Sequence, residues 1–147
     1  MLISLAVASL FMLNACTNES EQAETVEQKE VLSPRFYESA DGEKIYTVAE
    51  NSPEYEGGIQ AMYTFLGENI KYPKEASEAG IQGKVFVTFV VGADGAVRDV
   101  KLMRGLGYGT DEEAIRVVKA MPKWKPGSQG GENVAVKYNL PINFKLE

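Results

Sequence analysis

Apolar and polar residues alternate along the last predicted strand, which runs from Val134 to Phe144. Every second residue, counted from Val134, is apolar, and the residues between them are small, polar or proline. A period of two predicts a strand with one buried face and one outward face. Pro141 has no backbone N–H, and proline in sheets is confined largely to edges, strand starts and bulges. We therefore expect an edge strand, whose unpaired backbone groups could accept a strand of another chain.

Two upstream segments carry apolar residues at helical spacing. The first predicts an amphipathic helix that ends before Tyr72-Pro73, with these apolar members: Ile59, Met62, Tyr63, Phe65, Leu66 and Ile70. We expect Tyr63 and Phe65 to lie in the core. The second helix runs to Met121 and opens at a predicted capping box, Thr110 to Glu113. Lys74–Ala79 could add one or two helical turns.

Strand-forming residues fill two segments between these helices. Val85–Val91 and Val97–Met103 flank a turn-rich run of five residues, so they predict a hairpin. Arg35–Tyr37 and Lys44–Val48 flank Asp41-Gly42 and predict a second, short hairpin. Residues 127–133 are expected to form a loop. The main order is helix, strand, strand, helix, strand, which predicts a compact α+β domain with two helices packed on a three-stranded antiparallel sheet.

Composition argues against an enzyme. The 147 residues include no histidine and one cysteine, so the usual general base, a disulfide within the chain and a Cys/His zinc site are excluded. Asp94 suits a turn, Glu112 and Glu113 suit helix capping, and Trp124 suits a core position. The glycines around Leu106 lack the context of a phosphate-binding loop. We expect no catalytic residue, no metal site and no cofactor.

Charge is divided unevenly along the chain. Residues 17–58 hold 3 basic and 11 acidic side chains, and residues 59–147 hold 12 basic and 10 acidic ones. The predicted domain is therefore near neutral, which gives no electrostatic basis for nucleic-acid binding. The acidic stretch from residue 16 to residue 34 has too few apolar residues for a core and is expected to be a disordered tether.

The N-terminal residues 1–15 are almost entirely apolar, and Leu13-Asn14-Ala15-Cys16 follows. A helix of fifteen residues spans roughly 22 Å, short of a bilayer core of about 30 Å, so a signal peptide is favoured over a spanning helix. The four-residue motif resembles a lipobox, which implies lipidation of Cys16. The alternative is a truncated membrane anchor that happens to contain a cysteine.

Several motifs in the order of the predicted elements resemble the C-terminal domain of TonB energy transducers. The resemblance covers roughly residues 55–147, and residues 35–54 form a short β-prone segment before it. It rests on these runs: Tyr72-Pro73, Gly80-Ile81-Gln82-Gly83, Asp94-Gly95 with Val97, Asp111 to Val117, Pro122 to Gly127, and Val134 to Phe144 with Pro141.

The resemblance implies a periplasmic module that docks on outer-membrane transporters. In the family, the transporter's TonB box adds as a strand along the domain's last strand. It also implies a set of partner-binding residues before the proline, where the pairing ladder should change: Val134, Ala135, Val136, Lys137, Tyr138, Asn139 and Leu140. The alternative is an ordinary strand edge that binds no partner, since lysines such as Lys137 and Lys145 also protect strand edges against pairing.

Two features depart from the family pattern. A standard transducer keeps a transmembrane helix that contacts an inner-membrane, proton-driven motor, and it has a long linker. Here a lipobox replaces the helix, and the tether extends at most roughly 50 Å. Both departures count against direct motor contact and leave strand addition unaffected. The expected location is the cell envelope, with the lipid in the outer or inner membrane. The alternative function is a lipid-anchored envelope adaptor without a role in energised transport.

Overall fold

The computed structural model describes residues 35–147, so the predicted signal peptide, the lipidated Cys16 and the tether lie outside the described residues. Within residues 35–147 no helix is long and apolar enough to cross a membrane. The described elements follow one another in this order: β1 (Arg35–Glu38), β2 (Lys44–Val48), α1 (Gly58–Asn69), α2 (Lys74–Glu78), β3 (Gly83–Val91), β4 (Val97–Arg104), α3 (Thr110–Lys119), β5 (Gly127–Gln129) and β6 (Glu132–Phe144).

The strands form one sheet in the order β1-β2-β6-β3-β4, and β5 pairs separately with β6. The predicted β3–β4 and β1–β2 hairpins are confirmed. Along the chain, α3 follows β4 and precedes β5 and β6. The longest ladder joins β3 and β6 in antiparallel fashion over nine residue pairs, from Gly83↔Phe144 to Val91↔Val136. This ladder forms the centre of the domain.

The expectation of a two-helix, three-stranded antiparallel sheet is wrong in its details. Within the described residues there are three helices, and β1, β2 and β5 extend the sheet; moreover, β2 runs parallel to β6. The first three residues of the predicted loop form the strand β5. Gly130 and Gly131, with φ of 59° and 82°, make the tight turn from β5 into β6. Positive φ at both central residues is what a two-residue hairpin turn requires.

The core lies between α1, α3 and one face of the sheet. Met62 and Leu66 of α1 and Val117 and Val118 of α3 are buried there, together with alternate residues of β3 and β6. Trp124 is buried as expected, and its ring lies 5.1–5.5 Å from the rings of Tyr55, Phe89 and Tyr138. Phe65 packs partly buried against this cluster. The core position predicted for Tyr63 is wrong, because its side chain is 46% exposed.

The predicted capping box at the start of α3 does not form. The N-cap is Gly109, and the Thr110 hydroxyl donates to the Gly107 carbonyl at 2.7 Å. Glu113 instead accepts the Lys71 N–H at 2.7 Å and binds Arg116, whose Nη2 also donates to the Asn69 carbonyl at 2.7 Å. The Arg116 hydrogen bond is the main cause that lowers the pKa of Glu113. Glu113 and Arg116 therefore fix the C-terminal end of α1 against α3.

Candidate functional site

The seven predicted partner-binding residues divide into a covered and an uncovered group. Val134 pairs with Gly127 of β5, and Ala135 and Val136 pair with Ile45 and Tyr46 of β2. The other four, Lys137 to Leu140, pair with β3, and no second strand of the described residues pairs with them. The strand β2 lies on the side of β6 opposite β3, so the expectation of a free edge is wrong for Ala135 and Val136.

The uncovered edge continues beyond the predicted site to Phe144. Pro141 lies opposite Phe86, and the register of the β3–β6 ladder runs through this pair without a shift. The prediction that a partner's pairing ladder changes at Pro141 concerns the other side of β6, and it stays a prediction. The pairing of β2 with β6 ends at Val136, so β6 has an open side at Pro141. A proline fits at this position because no strand on that side needs its missing N–H. The uncovered stretch is Lys137 to Phe144.

A side-chain hydrogen bond shows which backbone groups face this open side. Alternate residues of an antiparallel strand direct both backbone groups toward the same neighbour. The Thr88 hydroxyl of β3 donates to the Tyr138 carbonyl at 3.3 Å, so Tyr138 directs its backbone groups toward β3. By alternation Lys137, Asn139 and Asn143 direct their N–H and C=O groups outward. Pro141 belongs to the same register and directs only a carbonyl there. The parallel pair Tyr46↔Val136 occupies the Lys137 N–H, so Asn139 and Asn143 carry the open N–H groups.

A groove of about 430 Å³ runs beside the end of this edge. One wall comes from α1 and the chain that follows it, and the other comes from β6 and the chain that follows it. The groove lining includes Tyr63, Gly67, Ile70, Tyr72, Ile142 and Phe144. Gly67 has no side chain, which widens the groove where α1 faces the strand. The groove therefore offers apolar contacts to any segment laid along β6.

The apolar wall continues along α1 toward its N-terminus. Ile59 and Tyr63 are one helical turn apart and are 63% and 46% exposed. Tyr138 of β6 is partly buried; burial raises the pKa of its phenol, and the nearby Tyr63 adds to this rise. Ile59 and Tyr138 also line a common small pocket with Met62. Exposed apolar residues therefore accompany the open edge from Tyr138 to Phe144.

Sequence reasoning missed this helical wall. The prediction placed Tyr63 in the core, although the apolar residues of α1 cover more of its circumference than the sheet can bury. The width of that apolar stripe was the available signal, since Ile59 and Tyr63 lie to one side of the buried pair Met62 and Leu66.

Asp94 and Asp111 have structural roles in their loops. Asp94 accepts the Ala96 N–H at 3.1 Å, and this hydrogen bond is the main cause that lowers the pKa of its carboxyl group. Asp111 accepts the N–H groups of Leu106 and Gly107 and so shapes the glycine-rich loop. In residues 35–147 no group of three acidic, histidine or cysteine side chains could hold a metal ion. The open edge of β6 is therefore the feature that we take as the candidate site.

Comparison with known proteins places this geometry in a family. Residues 68–146 match the family described as Gram-negative bacterial TonB protein C-terminal. Protein TonB of Pseudomonas aeruginosa is 32% identical over 78 residues, which are 52% of this chain and 22% of that protein. Protein TonB of Helicobacter pylori is 30% identical over 92 residues, which are 60% of this chain and 30% of that protein. The chain thus matches less than a third of the length of these relatives.

Two solved structures are also similar to parts of the chain. The solution structure of Helicobacter pylori TonB-CTD has a TM-score of 0.46 and 26% identity, covering 60% of this chain and 80% of that one. The solution structure of Pseudomonas aeruginosa TonB CTD has a TM-score of 0.43 and 28% identity, covering 52% and 78%. Since the family match extends over more than half of the chain, from α1 to the end of β6, the chain belongs to the family of Gram-negative bacterial TonB protein C-terminal domains.

Proposed function

We propose that this protein docks on outer-membrane transporters by adding the transporter's TonB box, as a strand, to the open edge of β6. The observation that carries the proposal is the uncovered stretch from Lys137 to Phe144 beside the apolar groove. An added strand gains main-chain hydrogen bonds from the edge and side-chain specificity from pockets beside it. Family membership supports the same partner.

The arrangement suits a short strand with apolar residues at alternate positions. Side chains of an added strand would alternate between the face of α1 and the opposite face of the sheet. Those directed toward α1 would contact Tyr63, Gly67 and Ile70 in the groove. Those on the opposite face would lie beside Lys137 and Asn139, which are in contact with solvent. The open edge is eight residues long, which corresponds to roughly 26 Å of strand.

In this proposal the protein is a TonB-like component of energy-dependent uptake that faces the periplasm. Residues 55–147 form the docking domain, residues 35–54 precede it, and residues 16–34 are the tether. The lipid on Cys16 anchors the chain to a membrane, and contact with a proton-driven motor is not part of the proposal. Radioactive palmitate should label the full chain and should fail to label Cys16→Ala. Equal labelling of both would contradict the lipid anchor.

Asn139→Pro should weaken docking. This change removes an outward N–H from the open edge and leaves the bonds to β3 in place, because Asn139 directs its backbone away from β3. The loss of one backbone hydrogen bond costs about 1 kcal/mol, or roughly fivefold in Kd. Steric contact with the proline ring adds to that loss. Isothermal titration of the full chain with a TonB-box peptide measures the effect.

The matched control is Asn139→Ala, which removes the same exposed side chain and keeps the N–H. It should bind the peptide with nearly the affinity of the natural chain. Equal affinities of the proline and alanine variants would contradict strand addition at this edge. Absence of binding by the natural chain even at millimolar peptide would overturn the transporter-docking proposal as a whole.

A further inference from the structure

The β1–β2 hairpin covers the first part of the edge that the proposed function uses. Val136 pairs with Val91 of β3 on one side and with Tyr46 of β2 on the other. Ile45 likewise lies beside Ala135. Val136 therefore has a partner strand on both sides, whereas from Lys137 onward the residues of β6 have a partner residue only in β3.

The hairpin is held to the rest of the domain by few contacts. Its junction with β6 comprises two residue pairs, compared with nine between β3 and β6. Only Ile45 is buried among the nine residues of its two strands, in a small cluster with Val90 and Ala135. A partly exposed salt bridge from Glu43 to Arg98 completes the attachment, and exposed pairs contribute little.

The chain after the hairpin is fixed independently. Asn51 exchanges two backbone hydrogen bonds with Ser128, at 3.1 and 3.0 Å, and Glu54 exchanges two with Lys125. Glu50 is also held, since its N–H donates to the Gln129 side chain at 3.1 Å and its carboxylate accepts the Gly130 N–H at 3.0 Å. Release of the hairpin would leave all these bonds in place, so the hairpin could pivot about Ala49. The route of α1 and the shape of the groove would not change.

We propose that the β1–β2 hairpin is a displaceable cover that sets how long a partner strand the docking edge accepts. With the hairpin in place the edge accepts a strand opposite Lys137 to Phe144. When the hairpin swings away, the edge lengthens to Ala135, and a longer strand gains additional backbone hydrogen bonds. This inference rests on the proposed function for its partner, a strand of the TonB-box type.

A disulfide that locks the hairpin tests the inference within one protein. Neighbouring strands are roughly 5 Å apart, which falls within the Cα separation that a disulfide spans, so Ile45→Cys with Ala135→Cys joins β2 to β6. Cys16→Ser prevents other pairing. The oxidised chain keeps the cover closed, and the reduced chain serves as its matched control.

Two peptides from one transporter's TonB-box segment are the probes, one of eight residues and one of twelve. The reduced chain should bind the longer peptide about tenfold more tightly than the shorter one, because the longer peptide can form a few more backbone hydrogen bonds. The oxidised chain should bind both peptides alike. If the longer peptide keeps its full advantage in the oxidised chain, the hairpin is not the limiting element and the inference is overturned.

Hydrogen exchange in the free chain separates this inference from the docking proposal. Amides at the β2–β6 junction, Tyr46 among them, should exchange at least about a hundredfold faster than those of the β3–β6 ladder, because the hairpin opens locally. Equal rates for the two sets would overturn the displaceable cover whether or not any peptide binds. Fast junction exchange with no peptide binding would uphold the cover and contradict docking.

Discussion

Trp124→Ala is expected to lower the free energy of unfolding by about 3–5 kcal/mol, the range for removal of a large buried aromatic side chain. Trp124 is 4% exposed, and its ring packs against the rings of Tyr55, Phe89 and Tyr138. Its removal therefore leaves a cavity at the centre of the core. Guanidinium denaturation, followed by circular dichroism, measures the loss.

Trp124→Phe separates ring packing from the indole N–H. The Nε1 atom is buried without a hydrogen-bond partner, so phenylalanine keeps most of the ring and removes an unsatisfied donor. We expect this variant to lose about 1 kcal/mol or less. Met103→Ala, at a side chain that is 58% exposed, should change stability by about 0.5 kcal/mol or less. A Trp124→Phe variant as unstable as Trp124→Ala would contradict this account of the core.

Gly95→Ala is expected to destabilise the fold by about 2–4 kcal/mol. Gly95 has φ of 82°, and an added Cβ would lie 2.0 Å from the backbone oxygen of Trp124. The Gly95 carbonyl also accepts the Trp124 N–H at 2.8 Å, so any backbone shift that relieves the clash disturbs this bond. The β3–β4 turn therefore holds Trp124 in position, and thermal or guanidinium unfolding measures the cost of changing it.

Gly42→Ala is the matched control for the clash. Gly42 has φ of 77°, and no atom lies within 4 Å of the position where its Cβ would be. This variant should lose about 1 kcal/mol, which reflects the left-handed backbone alone. If Gly95→Ala proved no more destabilising than Gly42→Ala, the contact between the turn and Trp124 would not constrain the fold.

The sequence predicted the elements whose patterns reflect burial. The period-two pattern of β6 and the helical spacing of α1 and α3 arise from the single core that all three contact, so pattern and structure agree. The motif resemblance led to the correct family, since residues 68–146 match that family. The α+β class followed from the order of the elements.

The sequence did not predict what covers the edge of β6. The two strands of the β1–β2 hairpin carry one buried side chain, Ile45, so no apolar pattern reports that β2 docks on β6. The pairing is made by backbone groups and is parallel, and local sequence does not specify such a contact. For the same reason Pro141 indicated an edge correctly for its own position but not for Ala135 and Val136, since edge character can change along a 13-residue strand.

Amide hydrogen exchange with a TonB-box peptide bound tests the central claim most directly, because it reports which backbone groups the partner covers. The account predicts that the outward amides of Asn139 and Asn143 gain strong protection, while those of the opposite edge strand, β4, do not change. Protection confined to β4 or to the exposed strand β1, with the two β6 amides unchanged, would contradict docking by strand addition to β6.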